Sequence, residues 1–272
     1  MKQSCSRRSA LRALGVGGIA VSTGCLGLSS RIAGLSGPSV GMYGGSFTPD
    51  RIVIEAGETL TWINDGYNRH SVTAYEERIP DGAEYFSSGG FDSEYRARID
   101  GYDYQKLIKE NETFQHTFET PGYYDYFCIP HEDFSTMAGT VVVKEPNGDI
   151  PPTPEIVEPD TDHVVYMGPM SFTPESLTIQ PGESVGWVNG TNIAHSVTAS
   201  SVPDDATYFA SGEFDTEEEA IQDWGYVRSG DVLAHDPYTH TFDVPGRYEY
   251  YCILHSLNME GVVEVAPETD VV

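Results

Sequence analysis

The sequence has few basic residues, few cysteines and almost no long hydrophobic segment. Its 272 residues include 15 Lys and Arg against 42 Asp and Glu, which gives a formal net charge of −27. Five of the basic residues lie within positions 1–31, which hold no acid, so the rest of the chain is more acidic still. A surface of this charge repels phosphate, so the sequence predicts no binding to nucleic acid or to anionic lipid headgroups.

The composition favours turns and short strands over long helices. The chain contains 28 Gly, 17 Pro and 17 Tyr, which argues against a coiled coil or a helical bundle. Hydrophobic residues make up 39% of the chain, enough for one large domain or two small ones with ordinary cores.

The leading segment reads as an export signal. An arginine pair, Arg7 and Arg8, precedes an apolar stretch at 13–21 that is too short to span a bilayer comfortably. The pair resembles a twin-arginine signal over residues 1–24, and an ordinary secretory signal with a fortuitous arginine pair is the alternative. Cys25 stands where a lipoprotein signal is cut, so we expect a lipid anchor there, followed by a flexible linker over 25–39. These features predict an exported, lipid-anchored protein on the extracytoplasmic face of the cell membrane.

The remainder of the chain contains two tandem copies of one sequence repeat. Residues 45–145 and 170–265 align with few gaps: the pentapeptide at 70–74, His-Ser-Val-Thr-Ala, recurs at 195–199. Two copies of about 100 residues fit ordinary domain sizes and indicate a tandem duplication. The predicted layout is then domain 1 at 40–145, a Pro- and acid-rich linker at 146–161, domain 2 at 162–267 and a short tail at 268–272.

Each copy shows the alternation typical of β-strands. Short segments with a period of two, such as 59–63 and 113–118, are separated by turn signals, so the predicted fold class is all-β with one β-sandwich per copy. The charged stretches at 92–109 and 215–224 lack that alternation and are candidates for a short helix on a long loop.

Each copy contains one cysteine, Cys128 or Cys252, at the equivalent position and without a partner in its own domain. An exported protein ordinarily pairs its cysteines, so a lone one must be protected or used. A disulfide between the two domains is an alternative, although both cysteines repeat the same surroundings. Strand alternation points each of them inward at the end of a tyrosine-rich strand.

A histidine and a methionine follow each cysteine within one loop, and a second histidine precedes it. One thiolate, two imidazoles and a thioether are the donors of a blue copper electron-transfer site. The candidate ligands are His70, Cys128, His131 and Met137 in the first copy, and His195, Cys252, His255 and Met259 in the second.

Both copies resemble cupredoxins of the plastocyanin/azurin family, and the whole chain resembles a two-domain halocyanin-type protein of haloarchaea. The resemblance covers residues 40–266 and implies Greek-key β-sandwiches that each bind one type 1 copper through those four ligands. The loops between the second histidine and the methionine depart from the four residues common in relatives, with five in the first copy and three in the second. Ser71 and Ser196 follow the first histidines and are candidates to support the cysteine loop from outside the ligand set, or simply to form turns.

These features favour an electron carrier, which is not an enzyme, over two other classes. The partners implied are membrane-bound or soluble redox proteins that act as electron donor and acceptor. A two-domain copper enzyme of the nitrite reductase or multicopper oxidase kind is the alternative. Such enzymes place a histidine directly before the blue-copper cysteine or use His-x-His pairs; here Phe127 and Tyr251 stand before the cysteines and no His-x-His occurs. A storage protein would need Cys- or Met-rich clusters, and the chain holds only six Met.

Overall fold

The computed structural model describes residues 37–101, 103–226, 230–234 and 236–267. The predicted signal at 1–24, with Cys25 and most of the 25–39 linker, lies outside the described residues, as does the tail at 268–272. Within the described part, no helix is both long enough and apolar enough to cross a bilayer.

Domain 1 is built from eight short strands. The strands are β1 (Ser39–Tyr43), β2 (Ser46–Thr48), β3 (Arg51–Ile54), β4 (Glu58–Asn64), β5 (Thr73–Ala74), β6 (Thr113–Phe118), β7 (Gly122–Phe127) and β8 (Ala138–Val143). They form two four-stranded sheets, in the orders β2-β1-β4-β6 and β3-β8-β7-β5. The β1–β4 and β3–β8 pairs are parallel and the others are antiparallel.

Domain 2 repeats this arrangement. Its strands are β9 (His163–Gly168), β10 (Ser171–Thr173), β11 (Ser176–Ile179), β12 (Glu183–Asn189), β13 (Thr198–Ser201), β14 (Tyr238–Phe242), β15 (Gly246–Tyr251) and β16 (Glu260–Val265). The sheets have the orders β10-β9-β12-β14 and β11-β16-β15-β13, which are the orders of domain 1 carried over strand by strand. The predicted all-β class with two tandem sandwiches is confirmed.

The two sheets of each domain enclose an aromatic core. Trp62 of β4 meets Tyr126 of β7 edge-on at 5.4 Å between ring centroids, and Trp187 and Tyr250 repeat this contact at 5.4 Å. All four side chains are fully buried. Edge-to-face contact is a favoured geometry for aromatic pairs, so the alternating large residues of these strands fix how the sheets pack.

Three short helices lie outside the sheets: α1 (Glu94–Asp100), α2 (Glu132–Ser135) and α3 (Glu217–Tyr226). α1 lies within the stretch 92–109 that was a candidate for a helix, and α3 begins within the second such stretch, 215–224, and ends two residues beyond it. The hydroxyl of Ser93 accepts a hydrogen bond from the backbone N–H of Arg96 at 3.3 Å, which caps the start of α1.

The two domains pack against each other through the outer face of the β3-β8-β7-β5 sheet of domain 1. Four buried side chains of domain 1 belong to the hydrophobic cluster of domain 2 and not to that of their own domain: Tyr75, Ala97, Phe127 and Ile129. Polar contacts lie beside them, because Asn192 Nδ2 donates to Thr140 Oγ1 at 3.2 Å.

Candidate metal centres

The cysteine of each domain is delivered to its position by the end of a strand. β7 ends at Phe127, and the backbone N–H of Cys128 then donates to the carbonyl of Met137 at 2.9 Å. The N–H of His131 donates back to the carbonyl of Cys128 at 2.9 Å. These two bonds close the 128–137 loop, so the side chains of the cysteine, the histidine and the methionine all come from one short loop.

The first histidine of each cluster comes from a different segment of the chain. An asparagine of the repeated Trp-x-Asn segment helps to hold that segment in place. Asn64 Nδ2 donates to the carbonyl of Ile108 at 2.9 Å. His70 and Ile108 exchange backbone hydrogen bonds in both directions, at 3.2 and 2.8 Å. In domain 2, Asn189 Nδ2 donates to the Val232 carbonyl at 3.0 Å, and the Val232 N–H donates to the His195 carbonyl at 2.8 Å.

In domain 1 the three side chains meet at one point. Cys128 Sγ lies 3.2 Å from His131 Nδ1 and 3.6 Å from His70 Nδ1, and the three candidate ligand atoms lie within 4.8 Å of one another. His70 and Cys128 are fully buried, whereas His131 is partly exposed. The Met137 side chain is buried in the domain 1 core.

Domain 2 repeats this cluster with one difference. Cys252 Sγ lies 3.5 Å from His255 Nδ1 and 3.7 Å from His195 Nδ1, again with all three atoms within 4.8 Å. The Cys252 N–H donates to the Met259 carbonyl at 3.0 Å, and Met259 is buried. Here the second histidine is buried as well, because His255 is only 2% exposed.

The two candidate supporting serines contact the cysteine loop in the same way. Ser71 Oγ accepts a hydrogen bond from the Ile129 N–H at 2.8 Å, and its own N–H points at Cys128 Sγ at 3.3 Å. Ser196 makes the corresponding contacts in domain 2, at 2.9 Å to the Ile253 N–H and 3.4 Å to the sulfur. Each serine therefore joins the segment of the first histidine to the segment of the cysteine.

Burial shapes the electrostatics of both clusters. It lowers the pKa of His70 to about 4, with the neighbouring His131 adding to the effect, and it holds the pKa of His195 well below its usual range. It also raises the pKa of the Cys128 thiol to about 12 and raises that of Cys252. The pKa of His131 is lowered by burial too, so His70, His131 and His195 are neutral at pH 7 and keep a lone pair for a metal.

A buried thiol with a raised pKa ionises only when a cation takes the place of its proton. Two imidazoles and one such thiol, converging within 4.8 Å, form the donor set that suits a copper ion. The described residues contain one such group in each domain, so the chain fits two copper ions, one per domain.

The structure brings together every predicted His–Cys–His set, while Cys25 lies outside the described residues. The sequence analysis did not identify two features of the sites: the asparagines that hold the segments of the first histidines, and a buried ion pair beside His131. The repeat of Trp-x-Asn in both copies was the available signal for Asn64 and Asn189. No signal in the sequence indicated Arg98 and Glu132, a buried ion pair at 2.7 Å next to His131.

Comparisons with known proteins agree with this geometry. The sequence model described as "Copper binding proteins, plastocyanin/azurin family" matches residues 40–144 and 160–266. The chain is 33% identical to the plastocyanin of Scenedesmus fuscus over 98 residues, covering 36% of this chain and 86% of that protein. It is 29% identical to amicyanin-alpha of Methylorubrum extorquens over 98 residues, covering 36% and 64%.

Among solved structures, amicyanin from Paracoccus versutus is similar at 24% identity with a TM-score of 0.29, covering 40% of this chain and 81% of that one. The purple cupredoxin from Nitrosopumilus maritimus has 22% identity and a TM-score of 0.27, covering 39% and 99%. Since the family match extends over most of both repeats, the chain belongs to the plastocyanin/azurin family of copper-binding proteins.

Proposed function

We propose that this protein carries single electrons at two type 1 copper sites, one in each domain. The observation that carries the proposal is the duplicated cluster of one buried thiol and two imidazoles. The proposed ligands are His70, Cys128 and His131, and His195, Cys252 and His255, with Met137 and Met259 as the axial donors. Bound there, copper supplies a one-electron Cu(I)/Cu(II) couple.

The chain's own contribution is to hold these donors still. The backbone bonds that close each cysteine loop, the serine contacts and the asparagine contacts restrain all three strong donors from separate segments of the sandwich. A site whose ligands do not rearrange suits electron transfer better than bond chemistry, because little has to move when the charge changes.

An external redox protein has an apolar surface to contact at domain 1. His131 is partly exposed there, and two aromatic side chains, each three residues from a candidate ligand histidine, project into solvent: Tyr67 with 87% and Phe134 with 78% of their area exposed. We propose this end of domain 1 as the docking surface for the donor or acceptor. Apolar contact is favoured over charge steering, because the chain's net charge of −27 calls for a saline setting in which long-range attraction is screened.

Copper stoichiometry tests the function directly. The full chain should bind two copper ions and show intense thiolate-to-copper absorption, and Cys128→Ser and Cys252→Ser should each lose one blue site. Metal analysis and visible absorption of the two variants measure this. A variant that keeps the wild-type copper count, or a chain without the absorption, contradicts the proposal. Turnover of nitrite or reduction of oxygen by the purified protein would favour the enzyme alternative.

The protein is further proposed to be exported through the 1–24 signal and held at the extracytoplasmic face of the membrane by a lipid on Cys25. Support comes from the arginine pair and from the small residues that precede this cysteine. Replacing Cys25 by Ser should release the protein into the medium, whereas replacing Cys5 by Ser should leave it on the membrane. Fractionation followed by immunoblotting measures the difference, and retention of the Cys25 variant on the membrane would contradict the anchor.

A further inference from the structure

The two candidate sites are unequal in their access to solvent, although their ligand clusters repeat. His131 of domain 1 is partly exposed, whereas His195 and His255 of domain 2 are 0% and 2% exposed. The 256–258 loop does reach the surface, because Leu257 is 80% exposed, yet neither histidine ring of domain 2 does. A partner that receives electrons through a ligand histidine would therefore meet site 1 but not site 2.

Domain 1 packs against the segment that leads into the first histidine of domain 2. Arg78 Nη1 donates to the carbonyl of Ile193 at 3.1 Å, two residues before His195. Asn192 Nδ2 in the same segment donates to Thr140 Oγ1 of β8 at 3.2 Å. Two hydrogen bonds thus join domain 1 to the 192–193 segment of domain 2, which leads into His195.

The contact begins close to the copper ligands of domain 1 as well. Phe127, bonded through the backbone to Cys128, is fully buried in the cluster that contains Cys252, Ile193 and Met259. Its ring stacks on Tyr75 at 4.4 Å between centroids, and Tyr75 belongs to the same cluster. A residue next to the thiolate of one site therefore packs in the hydrophobic core that surrounds the other.

A buried carboxylate also lies beside the ligand loop of domain 1, at the interface with domain 2. Glu132 follows His131 directly and accepts hydrogen bonds from Arg98 at 2.7 Å and from the Tyr75 hydroxyl at 2.9 Å. Tyr75 belongs to the hydrophobic cluster of domain 2, so this carboxylate connects the ligand loop of domain 1 to the interface.

We propose that domain 1 is the built-in redox partner of domain 2: its interface closes the ligand end of domain 2 to external partners, and domain 2 exchanges electrons by way of domain 1. This inference rests on the proposed function. With copper bound at both sites, one electron would pass from the Cu(I) site of one domain to the Cu(II) site of the other, and an external redox protein would replace or remove that electron at domain 1. No bond is made or broken and no proton is transferred.

Single-site variants of the full chain test the inference. Cys128→Ser retains the blue site of domain 2, and Cys252→Ser retains that of domain 1. Loss of the thiolate absorption on mixing with hexaammineruthenium(II), followed by stopped flow, reports how readily each site is reached. We expect reduction of the domain 1 site to be roughly tenfold faster or more, which corresponds to about 1.4 kcal/mol in the barrier. Both absorptions should decay together in the wild type.

An interface variant tests whether unequal reduction rates come from unequal access of the reductant to the two sites or from a difference in their reduction potentials. Arg78→Glu sets a carboxylate against the Ile193 carbonyl and should speed reduction of the domain 2 site in the Cys128→Ser background while leaving its absorption band in place. Arg51→Glu makes the same charge change at an exposed position over the Tyr123 ring and should have no effect.

The metal-free chain gives a readout that needs no copper. Peptide mass spectrometry after brief treatment with iodoacetamide should show Cys252 alkylated more slowly than Cys128, and Arg78→Glu should reduce the difference. Equal reduction rates in the two single-site variants, or rates and alkylation that do not respond to Arg78→Glu, would overturn the inference. Because these outcomes are measured on variants that hold a blue site, they are distinct from failure of the proposed function, in which no blue site forms at all.

Discussion

Ser71 and Ser196 show how a short side chain fixes a metal site without touching the metal. Each hydroxyl accepts a hydrogen bond from the backbone N–H that follows the cysteine, at 2.8 and 2.9 Å. Both serines are buried, so no water replaces the bond when the hydroxyl is removed. The position of the cysteine relative to the first histidine depends on this contact.

Replacing Ser71 by Ala should lower the free energy of unfolding by about 1–3 kcal/mol, since the buried Ile129 N–H is left without its acceptor. The blue absorption of domain 1 should also shift, while that of domain 2 stays in place. Denaturant unfolding and visible spectra of the Ser71 and Ser196 variants measure both effects. Ser46→Ala, which removes an exposed hydroxyl bonded to the Tyr43 carbonyl, is the control and should change neither. An unaltered spectrum in Ser71→Ala would limit the serine to forming a turn.

The sequence was sufficient to predict that these histidines and cysteines come together, because they recur at equivalent positions of two copies that differ elsewhere. His70 and His195 stand in identical pentapeptides, and Cys128 and Cys252 end equivalent strands. The burial of His255 was not predictable in this way. It is a property of the assembled chain, and the Cys-x-x-His spacing that leads to His255 is the same as the spacing that leads to the partly exposed His131.

At the scale of the elements, the residues of β7 lie on the faces of the sheet that their alternation predicts, but alternation does not predict whether the outer face is buried. Tyr124, Tyr126 and Cys128 were expected on the inward face, and all three are buried in the domain 1 core. Phe127 was expected on the opposite face, and it lies there, yet it is fully buried. The period of two assigns a residue to a face of the sheet but carries no information on which other surface covers that face.

Helix α1 contributes to that interface through one of two arginines. Arg98 is buried, bonds Glu132 and Glu94, and lies 4.1 Å over the centre of the Phe127 ring. Arg96 is exposed and pairs only with Asp100, one turn further along the helix. Removing one partner of a buried ion pair leaves the other charge buried without a partner, which is strongly destabilising. An exposed pair contributes little to the stability of the folded state.

Arg98→Ala should therefore destabilise the chain by about 3–5 kcal/mol, and Arg96→Ala by about 0.5 kcal/mol or less. Thermal unfolding of the two variants under the same conditions measures the difference. Both substitutions remove one positive charge from the same helix, so net charge and helix propensity are matched. Similar melting temperatures for the two variants would show that the Arg98–Glu132 pair is not a determinant of the interface.

At the scale of the whole molecule, duplication has produced two equal folds in unequal surroundings. The outer face of the β3-β8-β7-β5 sheet in domain 1 is covered by domain 2. The equivalent face of domain 2 carries Arg247, Glu249 and Glu264, which form exposed ion pairs. Sequence repetition predicted the two sandwiches and the two ligand sets, but the arrangement of the domains depends on residues that differ between the copies. Arg78 is one of these, since no arginine stands near the equivalent position of domain 2.

The charge of the whole chain gives the last prediction. A net charge of −27 on a two-domain protein opposes folding through self-repulsion, and salt screens it with a Debye length of about 10 Å at 0.1 M and about 3 Å at 1 M. The melting temperature should therefore rise as KCl increases over this range, and the blue colour should be lost on extensive desalting. Neutralising three exposed acids, in the variant Glu175→Gln, Asp204→Asn, Asp205→Asn, should reduce that dependence on salt because less repulsion remains to be screened. Sucrose stabilises folded proteins without screening charge, so it should raise the melting temperatures of wild type and variant equally. A melting temperature and a colour that do not respond to KCl would show that the acidic surface is tolerated without screening, which would contradict adaptation to brine.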